Sequence, residues 1–97
     1  MERVGLLVLL EAKPNRVQEV EEFLKSAQPL AQAEEKTIRW YALRLDSVRF
    51  AIFDTFGDES GRSEHVAGQI AIELFARAES LFAKAPEVNF ADVLAAK

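Results

Sequence analysis

The chain has 97 residues, of which 49% are apolar and 29% are charged, with no cysteine, one histidine and a formal net charge of −4. A chain of this length forms one domain, so we expect residues 1–97 to fold as a single unit. The composition excludes disulfides, thiolate nucleophiles and cysteine-ligated metals. The acidic balance argues against nucleic acid as a partner, and a single histidine leaves little for a metal site. The apolar fraction is high for a chain too small to bury much of it.

The sequence also argues against a membrane partner. The apolar run Val4–Leu10 is far shorter than the roughly 20 residues that a membrane-spanning helix needs. Glu2 and Glu11 flank this run, which is unlike the basic start and small-residue cleavage site of a signal peptide. We therefore expect a cytoplasmic protein.

The first predicted elements are a strand and a helix. The continuous apolar run Val4–Leu10 is typical of a strand buried on both faces. The spacing of the apolar residues then becomes helical, with one apolar stripe along Val17–Ala31. Asn15 and Gln18 form a capping-box pattern that predicts the start of this helix, and Pro29 predicts its end or a kink.

Two segments rich in β-forming residues follow, Thr37–Leu45 and Phe50–Phe56, and the loop between them is short enough for a hairpin. We predict a register that pairs Leu45 with Phe50 and leaves both faces of the hairpin mostly apolar. The side chains that could carry chemistry then divide between the faces, with Arg39, Tyr41 and Asp54 on one and Trp40, Phe53 and Thr55 on the other.

The last third of the chain predicts a second helix and a fourth strand. Gly57–Gly61 is typical of a turn, and Ser60 or Ser63 would cap the helix that follows. Val88–Leu94 is the predicted last strand. The element order βαββαβ indicates a ferredoxin-like α+β fold, with a four-stranded antiparallel sheet and two helices on one face. Because two helices cover one face only, we expect the apolar second face to join two copies into a homodimer.

His65 and Asp54 are the best candidates for chemistry. His65 lies near the predicted start of the second helix, where the helix dipole favours a neutral imidazole. It is either a surface histidine or a proton donor or acceptor in a pocket. Asp54 lies in the middle of a strand, where a carboxylate should be paired, hydrogen-bonded or functional. Pairing with Arg39 is the structural alternative to an acid–base role. Trp40 serves either core packing or a flat wall for a ring-shaped ligand.

Five segments carry a resemblance to a known family, namely Thr37–Leu45, Phe50–Phe56, Asp58–Val66, Gly68–Ala71 and Asp92–Lys97. The chain resembles the antibiotic biosynthesis monooxygenase family of the dimeric α+β barrel superfamily, and within it a bacterial quinol monooxygenase branch. The resemblance implies the βαββαβ fold, a homodimer joined sheet to sheet, and a pocket between sheet and helices in each subunit.

The resemblance also implies a reaction. Relatives oxidise polycyclic or quinol-type aromatics with molecular oxygen and without flavin, haem or metal, so no cofactor is expected. The family pattern often has a histidine at the position of His65 and an acidic residue at that of Asp54. We expect these two residues to be catalytic, and a small apolar or aromatic molecule to bind in a pocket walled by Trp40, Phe53, Ile70, Leu74 and Phe75.

Other functions stay open on the same fold. Haem-degrading relatives carry an asparagine in the first strand, which Val4–Leu10 lacks, and Phe75 falls near the position of their haem ligand. Haem degradation is therefore disfavoured. The alternatives are an isomerase or decarboxylase, and a non-catalytic dimer that binds a small ligand or stabilises a larger assembly.

Overall fold

A computed structural model describes residues 1–97 and contains four strands and three helices. The elements in chain order are β1 (Val4–Glu11), α1 (Val17–Ala33), β2 (Thr37–Arg44), β3 (Arg49–Phe56), α2 (Glu59–Val66), α3 (Gln69–Leu81) and β4 (Glu87–Asp92). All strand pairs are antiparallel, and the order across the sheet is β2-β3-β1-β4. The predicted ferredoxin-like α+β fold is confirmed. None of the three helices combines the length and the hydropathy needed to cross a membrane.

The sheet is covered by helices on one face only. Leu6, Val8 and Leu10 of β1 are buried in the core beneath the helices. Leu7 and Leu9 point the other way and are half-buried, so β1 is not buried on both faces as predicted. We call the uncovered side the open face. The pairing register places these side chains on it: Gly5, Leu7, Leu9, Tyr41, Leu43, Ala51, Phe53 and Thr55.

Helix α1 begins later than the capping box predicts. Its first residue is Val17, and Arg16 occupies the cap position without a side-chain hydrogen bond to the first turn. Asn15 is therefore not the N-cap. The Arg16 backbone N–H donates to the Lys13 carbonyl at 2.8 Å, which closes a turn ahead of the helix. The Arg16 side chain reaches Glu19 in the first turn at 2.8 Å instead.

Helix α1 also continues through Pro29, contrary to the prediction of an end or a kink before it. The helix runs on to Ala33 although proline cannot donate the hydrogen bond of its turn. The reason is packing on both sides of Pro29. Ala27 and Ala31 are buried together with Ile70 of α3, and this contact holds the last turns of α1 against the helix layer.

The hairpin register differs by one residue from the predicted one. Arg44, not Leu45, lies opposite Phe50. Asp46 fixes this register because its Oδ1 accepts hydrogen bonds from the backbone N–H groups of Val48 at 3.0 Å and Arg49 at 2.8 Å. The Arg49 guanidinium and these backbone bonds lower the pKa of Asp46 to about 2.

The one-residue shift decides which face carries the predicted catalytic aspartate. Asp54 lies opposite Trp40 and faces the helices, whereas Arg39 lies opposite Thr55 on the open face. The predicted placement of Asp54 opposite Tyr41 and beside Arg39 is therefore wrong. A shift of one residue exchanges the two faces of a strand, because side chains alternate with period two.

The predicted second helix is two helices with a break at Gly68. Asp58, not Ser60 or Ser63, caps α2, and its side chain accepts a backbone hydrogen bond of the first turn at 3.1 Å. Gly68 has extended backbone and is the cap residue immediately before α3. A Cβ at this position would lie 3.3 Å from the carbonyl oxygen of His65, so a larger residue would crowd the end of α2.

Arg62 ties α2 to the sheet from a buried position. Its side chain is 9% exposed, and Nη1 donates to the backbone carbonyls of Gly5 and Ala91 at 3.1 Å each. These two residues are paired across β1 and β4, so one guanidinium bridges a helix and two strands. On its other side Arg62 Nε donates to Glu59 at 3.1 Å.

We expect Arg62→Met to lower the free energy of unfolding by about 2 kcal/mol, because the two carbonyls lose a charged donor in a buried setting. Chemical denaturation measures the change. The matched control is Arg16→Met, which removes an exposed pair with Glu19 at the same spacing of three residues. This control should cost less than about 0.5 kcal/mol. An equal loss in both variants would show that the bridge to the sheet adds nothing.

Candidate active site

The single histidine of the chain lies buried between two carboxylates. His65 Nδ1 is 2.6 Å from Glu34 Oε1, and Nε2 is 2.9 Å from Asp54 Oδ2. The side chain of His65 is 5% exposed, that of Asp54 0% and that of Glu34 24%. We call Glu34, His65 and Asp54 the carboxylate–imidazole set. The exposed fraction of the side chain increases from Asp54 through His65 to Glu34.

Each member of the set comes from a different element of the fold. Glu34 is the residue that ends α1, Asp54 stands in the middle of β3, and His65 lies in the last turn of α2. The ring of Phe56 packs against the imidazole, with the centroids 5.4 Å apart and the planes tilted by 43°. Thr37 Oγ1 donates to Glu34 Oε1 at 2.6 Å and fixes that carboxylate.

The charge of His65 differs from the sequence prediction. Because α2 ends at Val66, His65 is near the C-terminus of a helix and not at the start of one. The helix dipole there favours the imidazolium, so the predicted preference for the neutral form is wrong. Burial lowers the pKa of His65, but the two neighbouring carboxylates, Asp54 and Glu34, outweigh it and raise the pKa above 6.5.

Asp54 is the most deeply buried member of the set. Burial raises the pKa of its carboxyl group above the ordinary 3.8, and the neighbouring His65 opposes this shift. Neither oxygen of Asp54 has a hydrogen bond of good geometry, so the 2.9 Å contact with His65 is mainly electrostatic. The imidazole ring is the counter-charge that makes a buried aspartate tolerable at this position.

A cavity of about 430 Å³ opens beside the set. Both Glu34 and His65 line it, whereas Asp54 lies behind the imidazole and does not. Most of the other lining residues are polar, and the complete remainder is Leu30, Ala33, Glu35, Lys36, Thr37, Gly61, Glu64, Gly68 and Gln69. Lys36 is paired with Glu64 and lies 3.0 Å from the Ser60 hydroxyl, so its charge is already balanced.

The predicted pocket residues do not surround this cavity. Trp40 packs between the two buried clusters, with Ile70 in one and Leu74 in the other, and its Nε1 is buried without a hydrogen-bond partner. Phe75 is 53% exposed on α3, and Phe53 lies on the open face. The structure thus brings together His65 and Asp54 but does not gather the five apolar side chains around them.

Glu34 is the member of the set that sequence reasoning missed. It lies in the polar segment Gln32–Lys36, which has neither helical nor strand periodicity. Its contact with His65 spans 31 residues of sequence. The only sequence signal that could have indicated Glu34 is its position between α1 and β2, at the edge of the layer between helices and sheet.

The set is not arranged to bind a metal ion. No group of three or more His, Asp or Glu side chains is placed to hold one. Glu34 and Asp54 approach the two different ring nitrogens of His65, so their oxygens cannot converge on a common point. The arrangement can instead hold and move protons along the line from the cavity to the buried aspartate.

Comparison with solved structures gives the family. NE2512, a protein of unknown function from Nitrosomonas europaea, is 44% identical to this chain, with coverage of 100% of this chain and 94% of that one and a TM-score of 0.97. The chain belongs to the NE2512 family. Neither a family model nor a curated protein matches its sequence.

More distant structures extend the NE2512 family to a wider fold group. Rv0793 from Mycobacterium tuberculosis is 14% identical, with 97% of each chain covered and a TM-score of 0.86. A protein named antibiotic biosynthesis monooxygenase is 13% identical, with 95% of this chain and 99% of that one covered and a TM-score of 0.82. The resemblance to the antibiotic biosynthesis monooxygenases is thereby confirmed for the fold.

Proposed function

We propose that this member of the NE2512 family is a cofactor-independent monooxygenase that oxidises a small quinol-type aromatic with molecular oxygen. The observation that carries the proposal is the burial of the one histidine between two carboxylates at the wall of a cavity. Such a set can remove a proton from a hydroxyl group and balance the charge that develops. The shared fold with an antibiotic biosynthesis monooxygenase supports the same reaction class.

The geometry favours one of the two roles open to His65. Both ring nitrogens already face carboxylate oxygens, so the imidazole acts as a hydrogen-bond donor and positive charge and not as the first proton acceptor. Asp54 is its electrostatic partner and holds the ring from the buried side. A carboxylate then serves as the base, beside an imidazole ring that both carboxylates of the set contact.

The energetics of this step are feasible. For the free groups in water, moving a proton from a phenol to a glutamate carboxylate costs about 8 kcal/mol. A turnover of about 10 per second corresponds to a barrier of about 16 kcal/mol, which leaves room for the reaction with oxygen. The phenolate reduces oxygen with its own electrons. One oxygen atom enters the substrate and the other leaves as water, so a hydroquinone becomes a hydroxyquinone.

The size of the cavity supports a ring-shaped ligand. Benzene occupies engineered cavities of roughly 150 Å³, and the cavity beside His65 measures about 430 Å³. A purely structural dimer would need no such space, so the cavity counts against a dimer that only stabilises a larger assembly. Its polar lining favours a ring that carries hydroxyl groups over a bare hydrocarbon.

Oxygen consumption tests the proposal directly. The protein is incubated with a panel of hydroquinones and anthrones in an oxygen electrode, with heat-denatured protein as the control for autoxidation. We expect uptake of one oxygen molecule per molecule of at least one substrate, together with an oxygenated product. Uptake no faster than autoxidation across the panel would contradict the proposal.

A second candidate is an isomerase or decarboxylase that uses the same base. The observation in its favour is the polar lining of the cavity, which suits a small polar substrate as well as an aromatic one. Incubation of the same panel without oxygen separates the two reactions. Product formed under anaerobic conditions would favour this second candidate, because a monooxygenase has no product without oxygen.

We also propose that a second copy of the chain covers the open face. Tyr41 and Leu43 on this face are 49% and 44% exposed, and no helix of the chain packs there. Sedimentation at micromolar concentration should give a dimer, and Leu43→Lys should dissociate it. Ile72→Lys is the matched control, because Ile72 is 58% exposed on α3, away from the open face. A monomeric wild-type protein would contradict the proposal.

A further inference from the structure

Glu34 differs from the other members of the carboxylate–imidazole set in the way its two oxygens are used. Oε1 receives both hydrogen bonds, from Thr37 Oγ1 at 2.6 Å and from His65 Nδ1 at 2.6 Å. Oε2 accepts no hydrogen bond from the protein. A carboxylate held through one oxygen in this way has a fixed orientation and one free acceptor.

The free oxygen lies where a ligand could reach it. Glu34 and Gly68 both line the cavity, and a Cβ built on Gly68 would stand 3.5 Å from Oε2. Glycine at this position therefore leaves the space beside Oε2 uncovered. Asp54 is enclosed and His65 is occupied on both nitrogens, so Glu34 is the one member of the set with an acceptor that is both free and accessible.

The charges around the cavity restrict the ligand. Three glutamates line it, Glu34, Glu35 and Glu64, against the two basic side chains of Lys36 and His65. Lys36 is already paired with Glu64, and His65 with Glu34 and Asp54. No unpaired cation is therefore left to bind a carboxylate or phosphate, and a neutral ligand is favoured over an anion.

We propose that Glu34 Oε2 is the atom that accepts the hydroxyl hydrogen of a neutral, phenol-type ligand. It takes that proton in the reaction. This inference rests on the proposed function and deepens it. In the step, the O–H bond of the ligand breaks, a new O–H bond forms on Oε2, and the electron pair stays on the ligand oxygen as a phenolate. His65 and Thr37 hold Oε1 throughout.

Binding to the full-length protein tests the inference independently of turnover. The signal of the sole histidine is followed by NMR while hydroquinone, its dimethyl ether or para-hydroxybenzoate is added. We expect saturable binding of hydroquinone and at least about tenfold weaker binding of the ether, which has no hydroxyl hydrogen, and of the anionic benzoate. No binding of hydroquinone, or equal binding of the three probes, would overturn the inference.

The variant Glu34→Gln removes the base while keeping the shape of the side chain. It should weaken hydroquinone binding about tenfold and lower the rate of oxygen uptake about 100-fold. Glu22→Gln is the matched control on the exposed side of α1 and should change neither. Oxygen uptake that survives Glu34→Gln would overturn this inference and leave the proposed function standing. Hydroquinone binding that depends on Glu34 without any oxygen uptake would contradict the proposed function alone.

Discussion

Replacing His65 with glutamine is expected to lower kcat/KM for oxygen uptake about 100-fold. Glutamine can keep the hydrogen bond to Glu34, but it cannot contact both carboxylates and carries no positive charge. Asp54 would then stay buried without its counter-charge, and Glu34 would lose its 2.6 Å contact with the imidazole. The measurement is oxygen uptake with the best substrate of the quinol panel across a range of pH.

The pH profile separates a role in proton transfer from mere support of the fold. The wild-type rate should change with the ionisation of the carboxylate–imidazole set, and this inflection should disappear in His65→Gln. Ser63→Gln is the control on the same helix, because Ser63 is exposed, and it should leave turnover unchanged. Unchanged turnover in a folded His65→Gln protein would show that the histidine has no part in the reaction.

Phe56→Ala is expected to lower the free energy of unfolding by about 4 kcal/mol. The side chain of Phe56 is fully buried in the main core cluster, at the end of β3 where both neighbouring strands pair with it. Its removal leaves a cavity beneath α2 and takes away the ring that packs on His65. Because a domain of this size has about 5–15 kcal/mol of stability in total, the variant should be only marginally stable at 37 °C. Chemical denaturation measures the loss of unfolding free energy.

Two further variants make the Phe56 prediction specific. Phe75→Ala is the same change at a phenylalanine that is 53% exposed, and it should cost less than about 1 kcal/mol. Phe56→Leu keeps most of the volume and should cost about 1.5 kcal/mol. Equal stability of Phe56→Ala and Phe75→Ala would contradict the burial of Phe56 in the core beneath α2.

The element order could be predicted from the sequence because it depends on local periodicity. The strand at Val4–Leu10 and the helix stripe along Val17–Ala31 fall within the observed β1 and α1. The hairpin register could not be predicted in the same way. It depends on the Asp46 side chain, which bonds to the backbone of the loop and moves the pairing by one residue. That single shift placed Asp54 opposite Trp40 and separated it from Arg39 and Tyr41.

The sequence predicts two residues of the candidate site but not the contacts between them. His65 and Asp54 stand out in the sequence as a lone histidine and a carboxylate in the middle of a strand. Their contact, and that of His65 with Glu34, depends on the break at Gly68 and on the length of α1 beyond Pro29. The length of α1 could not be predicted because tertiary packing overrides the helix-breaking tendency of Pro29. Glu34 could not be predicted because it lies in a segment without helical or strand periodicity.

Titration of the one histidine by NMR tests the central claim, that the carboxylate–imidazole set is coupled, most directly. The chain has a single histidine, so its ring signals need no assignment by mutation. We expect a midpoint above 6.5, because Asp54 and Glu34 stabilise the imidazolium, and a lower midpoint in Asp54→Asn and in Glu34→Gln but not in Glu22→Gln. A wild-type midpoint at or below 6.5, unchanged in Asp54→Asn and Glu34→Gln, would contradict the account.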